Sequence, residues 1–385
     1  MTTTHVFIVD DNTFKYHLEY MFAGTGAGEK VIDFNNSKTT KLYAGKKSKG
    51  ENNLVAMMAD GCRIRKDDFI IFYLQASKKH EGLFFGVFQA KDNGIFLDKE
   101  GKFLRSELKK SLTFRLKIEP YEVYPKGVTE WSALDEIKNI CSPYQMLWSL
   151  IYRKLKGNRG NTMITIYEAE RLINLIRTEN DNKFINSNNR LTYDSESTQI
   201  ITVTKTRCPY KGKTEQINIL PRLMEKFKIY KAHESHLQMY ITQNIGLGTN
   251  KTLDEALGIK NKKVEWLGNE VSCGVGMQRI DIMFSVNESE TKRVLCPVEL
   301  KAVSACEDNT RQLTRYIDWI EQYYIPNRIS QIQPVLICKK GKVLSSELKK
   351  DFIKFNNRKG ILPLKYIEYE VKDNNIVFNL VEYTK

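Results

Sequence analysis

Apolar positions recur along this chain in two rhythms, and the change between them divides it. From residue 4 to 125, short apolar runs alternate with Gly-, Asn- and Lys-rich turns. His5 to Val9, Leu54 to Met58, Asp68 to Leu74, Leu83 to Phe88 and Leu112 to Ile118 are examples. Short runs at that spacing predict a small mixed β-barrel. Helical periods follow, with Met146, Leu147, Leu150 and Ile151 over Ser142 to Leu155, then Ala169, Leu172, Ile173 and Ile176 over Ile166 to Arg177. Residues 178–200 are rich in Asn, Ser and Asp and predict a loop or linker; residues 201–230 predict a strand pair.

Beyond residue 230 the periods alternate. Helices are expected over His233 to Gln243, Asn309 to Tyr324 and Ser345 to Asn357. Strands are expected over Lys263 to Leu267, Gly276 to Phe284, Pro334 to Cys338, Tyr366 to Val371 and Ile376 to Tyr383. The whole is expected to be a multidomain α+β and α/β protein. An N-terminal barrel with trailing helices would cover 1–177, a bridging segment 178–229, and an α/β domain with a mixed sheet 230–385.

Candidate chemistry gathers in that last part. Asp281 lies on an apolar run, and the next apolar run ends in Val298-Glu299-Leu300-Lys301. Residues i and i+2 of a strand share a face, so Glu299 and Lys301 project together while Val298 and Leu300 enter the core. Two carboxylates on neighbouring strands suit Mg²⁺, a hard cation that takes oxygen ligands. A lysine beside them can orient an attacking water or steady charge on a phosphate. Taken alone, such a pattern is also what a solvated strand face looks like. On the helix over 309–324, Leu313, Ile317, Ile320 and Tyr324 form the apolar stripe. Gln312, Tyr316, Trp319 and Tyr323 line the adjacent face, so Gln312 and Tyr316 meet at i, i+4.

The order Glu234-xx-Leu237, Arg279-Ile280-Asp281, Val298-Glu299-Leu300-Lys301 and Gln312-Leu313-x-Arg315-Tyr316 resembles the PD-(D/E)xK nuclease superfamily, in its RecB-like branch with the NucS-type DNA endonucleases. The resemblance covers about residues 230 to 385. Ile280 stands where the superfamily usually has a proline before its aspartate. The resemblance implies a Mg²⁺-dependent endodeoxyribonuclease, with Mn²⁺ able to substitute. Asp281, Glu299 and the Leu300 carbonyl would hold the metal. Lys301 would act on the nucleophilic water or the transition-state charge, and Glu234 would reach the site from its helix. Gln312 and Tyr316 would orient the catalytic group and the scissile phosphate. Arg279 and Arg315 would contact DNA phosphates, with a salt bridge the alternative for Arg279.

Asp67-Asp68-Phe-Ile-Ile-Phe-Tyr73, followed by Gly82-Leu-Phe-Phe-Gly86-Val-Phe, resembles the PUA-like group that includes EVE and YTH domains. That implies recognition of a flipped or modified base in an aromatic-lined pocket, with about half of Phe72, Tyr73, Phe84 and Phe85 left as core. Together the two resemblances imply a restriction or defence endonuclease that acts on double-stranded DNA, as a homodimer at least when bound. A repair nuclease, an RNA-directed protein and a non-catalytic nucleic-acid binder on a nuclease fold are the other readings.

Composition narrows this only a little. The 385 residues carry a formal net charge of +14, spread along the chain rather than gathered in a tail. A spread excess suits an extended polyanion, although Lys- and Asn-rich chains are often basic without binding one. The seven cysteines include no C-x-x-C pair, so neither a disulfide framework nor a zinc site is expected. Gly24-Thr-Gly-Ala-Gly28-Glu-Lys30 lacks the spacing of a phosphate-binding P-loop, which makes nucleotide hydrolysis a poor expectation. The chain has no signal-like start and no apolar stretch of about 18 residues; a cytoplasmic protein with no membrane partner is expected.

Overall fold

The computed structural model describes residues 2–26, 51–98, 103–110, 112–135, 160–228, 233–273, 278–326, 328–341 and 343–383. It is a mixed α/β protein with two compact units that divide between Ile217 and Asn218. That division falls inside the segment expected to bridge, 178–229.

The first unit is built on a curled nine-stranded sheet. Its central strands Thr4–Val9 and Phe69–Leu74 run parallel, and the other pairings are antiparallel. The helix Ile166–Glu179 starts on a reciprocal cap: the Thr165 amide donates to Glu168 Oε2 at 2.8 Å, and the Glu168 amide reaches Thr165 Oγ1 at 3.4 Å. Such boxes satisfy amides that the first turn leaves unpaired. Its apolar stripe, Ala169, Leu172, Ile173 and Ile176, is buried against Val6, Ile71 and Phe84.

Two expectations for this unit change. Leu54 to Met58 belongs to a helix, Glu51–Cys62, rather than to a barrel strand. A continuous apolar run does not distinguish the two by period, and the alanines and methionines here favour helix. Residues 178–200 are not simply a linker. Asn189–Asp194 and Gln199–Thr206 pair antiparallel, and Leu191, Tyr193 and Ile200 are buried at alternate positions. The expected helix over Ser142 to Leu155 and the loop residues 27–30 lie outside the described residues.

The second unit carries a seven-stranded mixed sheet. Val264–Ser272, Arg279–Asn287 and Arg293–Lys301 form an antiparallel meander. Val335–Lys339 then joins Arg293–Lys301 in parallel, Lys365–Lys372 adds a second parallel pair, and Asn375–Leu380 closes antiparallel. Helices Glu234–Asn244, Asp308–Tyr323 and Ser346–Asn356 pack around it. Leu313, Ile317, Ile320 and Tyr324 are fully buried, as the helical period predicted. Among the described residues, no helix is long and apolar enough to cross a membrane.

Candidate active site

The site grows from a break in the sheet. The ladder between Arg279–Asn287 and Arg293–Lys301 runs from Asn287↔Arg293 to Ile282↔Val298 and ends there. From Val298 to Lys301 the same strand pairs on its other side with Val335 to Cys338. Asp281 and Glu299 therefore stand just past the last rung, where the two strands part. The Leu300 amide, freed from that ladder, donates to Asp281 Oδ2 at 2.8 Å.

Strand alternation places Glu299 and Lys301 on one face, as expected. Glu299 is 1% exposed, and its Oε1 forms an ion pair with Lys301 Nζ. Its Oε2 accepts from the Tyr316 hydroxyl at 2.7 Å. The same hydroxyl lies 2.9 Å from the Arg279 carbonyl oxygen. Helix Asp308–Tyr323 thus holds one side chain and one main-chain group of the site through a single residue.

The electrostatics are those of crowded carboxylates. Asp281 is partly exposed, but its carboxyl is enclosed. Burial and the charges of Glu299 and Glu234 push its pKa well above the usual carboxylate range, and the Leu300 amide pulls the other way. Glu234 is raised by burial too, against the nearby Lys301 ammonium and a bond from the Ala302 amide. Burial lowers the Lys301 pKa, but Glu299, Glu234 and Asp281 outweigh it and hold the ammonium charged. Burial and the Glu299 charge push the Tyr316 phenol upward, so it acts as a hydrogen-bond donor and not as a base.

Asp281, Glu299, Lys301, Glu234 and Tyr316 thus share one electrostatic neighbourhood. Gln312 is half-buried one turn before Tyr316 and makes no hydrogen bond among the described residues. Arg315 is exposed on the same helix. Arg279 forms an ion pair with Glu270 at 3.0 Å, the alternative weighed for it from sequence. Among the described residues, no group of three or more His, Cys, Asp and Glu side chains is arranged to hold a metal ion. Asp281 and Glu299 are instead a pair of neighbouring carboxylates. Their raised or ion-paired state fits a divalent cation, which would relieve the like-charge repulsion that Asp281 feels.

Two supporting residues carry no sequence signal. Gln238, 5% exposed on helix Glu234–Asn244, donates its amide to the Asp281 carbonyl at 2.7 Å. Tyr369, fully buried, donates to the Lys301 carbonyl at 3.2 Å and lies 3.1 Å from His233 Nε2.

In the first unit, Phe72, Tyr73, Phe84 and Phe85 are all core, each 2% exposed or less. The aromatics that face open space are others. A groove of about 550 Å³ is lined by Phe69, Tyr121, Gln89, Asp67 and Asn174 among others. The Phe69 and Tyr121 rings are 5.0 Å apart at 37°, and Tyr121 is 47% exposed. Arg177 on its rim already binds Glu122 through two bonds of 2.9 and 3.0 Å. No protein-family model and no curated protein sequence matches the chain.

Proposed function

We propose that the second unit is a Mg²⁺-dependent phosphodiester hydrolase of the PD-(D/E)xK kind that cuts double-stranded DNA, and that the first unit chooses the target. The observation that carries this reading is the meeting of Asp281 with the Glu299–Lys301 pair at the parting of two strands. A folding role alone gives no reason to collect carboxylates whose ionisation burial resists, and perturbed groups of this sort gather at functional sites.

Asp281, Glu299 and the Leu300 carbonyl would hold the metal, with Mn²⁺ able to replace Mg²⁺. When bound, the ion supplies Lewis-acid charge to the phosphate and lowers the pKa of water. Lys301 holds its proton, and its ammonium neutralises charge that develops on the phosphate. Tyr316 fixes Glu299 by donating to Oε2, and Leu300 fixes Asp281 through its amide. Glu234 keeps the ammonium of Lys301 among acids. Gln312, which has no internal partner among the described residues, and the exposed Arg315 remain to meet the phosphate backbone. The groove bearing Phe69 and Tyr121 offers stacking surface to an unstacked base. Cutting both strands calls for two sites, hence a homodimer on DNA. A restriction or defence role suits a nuclease joined to a target-reading unit.

The test is incubation of purified protein with Mg²⁺ or Mn²⁺ and matched duplexes, unmodified or carrying methylated or hydroxymethylated bases. Metal-dependent fragments that disappear in Asp281→Ala, with DNA binding kept, are expected. Equal cutting by Asp281→Ala would overturn the site. No cutting of any duplex would leave a binding protein, a repair-structure nuclease or an RNA substrate.

A further inference from the structure

The two-stranded ribbon of the first unit, Asn189–Asp194 with Gln199–Thr206, is sorted by charge along its length. Residues 183–213 hold Lys183, Arg190, Lys205, Arg207, Lys211 and Lys213 against Asp194 and Glu196, a denser excess than +14 over 385 residues gives on average. Both acids lie at the turn. Asp194 uses its carboxylate there, accepting from the Ser197 amide at 3.1 Å and from the Ser197 hydroxyl. The cations lie at the open end or beyond it.

The pairing decides which side chains face outward. Leu191, Tyr193 and Ile200 take one face and are buried. Arg190 stands directly opposite Val203, and opposite residues of an antiparallel pair share a face. Ile201 is two residues from Val203 and shares it too; it is 38% exposed. Beyond Val203 the register shifts, and Thr204, Lys205 and Thr206 are exposed. Arg190 Nε lies 3.4 Å from the Thr206 carbonyl oxygen, and Arg207 Nε donates to the Asn189 carbonyl at 3.1 Å, so both guanidiniums meet neutral oxygen. Among the described residues, Arg190, Lys205 and Arg207 form no ion pair. Glu19, which reaches the ribbon from the helix Asp11–Glu19, accepts instead from Thr192 Oγ1 at 2.8 Å.

The outer edge of Gln199–Thr206 pairs with no other described strand beyond the bridge Lys126↔Gln199. A lysine and a bulge on such an edge can serve simply to block pairing with another chain. One charge is enough for that, and it gives no reason for three unneutralised cations at one end with the acids held at the other.

We propose that this ribbon is a contact surface for duplex DNA, with Arg190 and Lys205 meeting phosphates. A two-stranded β-ribbon fits the major groove. The exposed Thr202, Thr204 and Thr206 add neutral hydroxyl donors of the kind that position a protein on the backbone. The choice of DNA as partner rests on the function proposed above; the metal site and the cleavage step do not enter.

The experiment titrates a duplex in chelator with wild type, with the double variant Arg190→Gln/Lys205→Gln, and with Lys350→Gln/Lys354→Gln. The last removes the same two charges from exposed positions of the helix Ser346–Asn356. Acetylation of surface lysines, with and without DNA, reads the contact directly. The ribbon variant is expected to bind at least about tenfold more weakly at about 0.1 M salt, and to flatten the slope of log K against log salt by about 1.8, as loss of two phosphate contacts does. The helix variant should bind like wild type, and DNA should shield Lys205 from acetylation. Equal weakening by both variants, or by neither, overturns the proposal, as does a Lys205 that DNA leaves reactive. A ribbon variant that self-associates at unchanged DNA affinity also overturns it and makes Lys205 an edge guard. Wild type that binds duplex but never cuts it with Mg²⁺ defeats the nuclease reading and leaves the ribbon standing; wild type that binds no duplex defeats both.

Discussion

Replacing Lys301 by Met should cost the second unit several degrees of thermal stability, and Mg²⁺ should return part of it. The substitution keeps the aliphatic stem and removes the ammonium that pairs with Glu299 Oε1. Glu299 is 1% exposed, so the variant must bury this carboxyl group with only the Tyr316 hydrogen bond beside it. Removing one partner of a buried pair costs about 3–5 kcal/mol. Because the Lys301 side chain is 21% exposed and Tyr316 remains, about 2–4 kcal/mol is the better figure. For a unit of about 170 residues, this lowers the melting temperature by roughly 5–15 °C. The folded pKa of Lys301 is raised above its usual 10.5. The stabilisation from its charge is therefore fully present below that value and is lost only as pH rises through the folded pKa. The deficit should accordingly be level between about pH 6 and 9. The assay is a pair of calorimetric scans in chelator and in excess Mg²⁺. An ion held by Asp281 and Glu299 supplies the missing positive charge, and at a hundredfold excess over Kd it returns about 2.7 kcal/mol. A variant that melts within a degree or two of wild type in chelator would refute the buried-pair reasoning. A variant whose melting temperature does not rise with Mg²⁺ would argue against a metal at these two carboxylates.

Two further outcomes are expected. Asp281→Asn should abolish cleavage yet melt above wild type at pH 8 without metal. The raised carboxyl pKa means that Asp281 favours the fold below about pH 4 and loses that contribution as pH rises through its folded pKa, whereas Asn has no charge to bury. The advantage should vanish near pH 4, and a lower melting temperature at pH 8 would contradict the crowding of carboxylates. DNA affinity should fall steeply with salt, with a slope of log K against log salt of about −4 or steeper if four or more phosphates are gripped. A flat response would remove the polyanion surface implied by a net charge of +14.

Much of the second unit was legible because its periods are strong. The helix expected over Asn309 to Tyr324 lies at Asp308–Tyr323, and the strand with Glu299 and Lys301 ends at Lys301. Gln238 was not legible. It sits in His236 to Thr242, a run buried at every position, so no amphipathic contrast marks one side chain as different. In the first unit, Glu51–Cys62 was misread because nine successive buried residues, Leu54 to Cys62, carry no period. The open aromatics were missed because Phe69 and Tyr121 lie at strand ends and in turns, while the conspicuous aromatic runs are core.

The geometry also explains why the acids sit where they do. An interior rung of a sheet has both main-chain groups committed and no room for ionised side chains. The strand Arg293–Lys301 changes partner at Val298, where its antiparallel neighbour leaves and its parallel neighbour takes over. Past that residue one edge of the strand is free, and the Leu300 amide has no strand to bond. Asp281, one residue past the last rung to that strand, meets that amide with its side chain. The interruption thus leaves the Leu300 amide as a donor that the Asp281 carboxylate satisfies. Gln238 donates to the Asp281 carbonyl from the neighbouring helix, so the residue is held at its main chain and at its carboxylate. Filling the gap with apolar residues would restore the ladder and add stability, since replacing buried ion pairs often does. A sheet that keeps two acids and a lysine there, with Glu234 on the neighbouring helix, has given up stability at one place, as functional sites commonly do. The compensation lies in the fully buried strands on either side, where Ile282, Phe284, Leu295, Leu336 and Ile367 are closed to solvent.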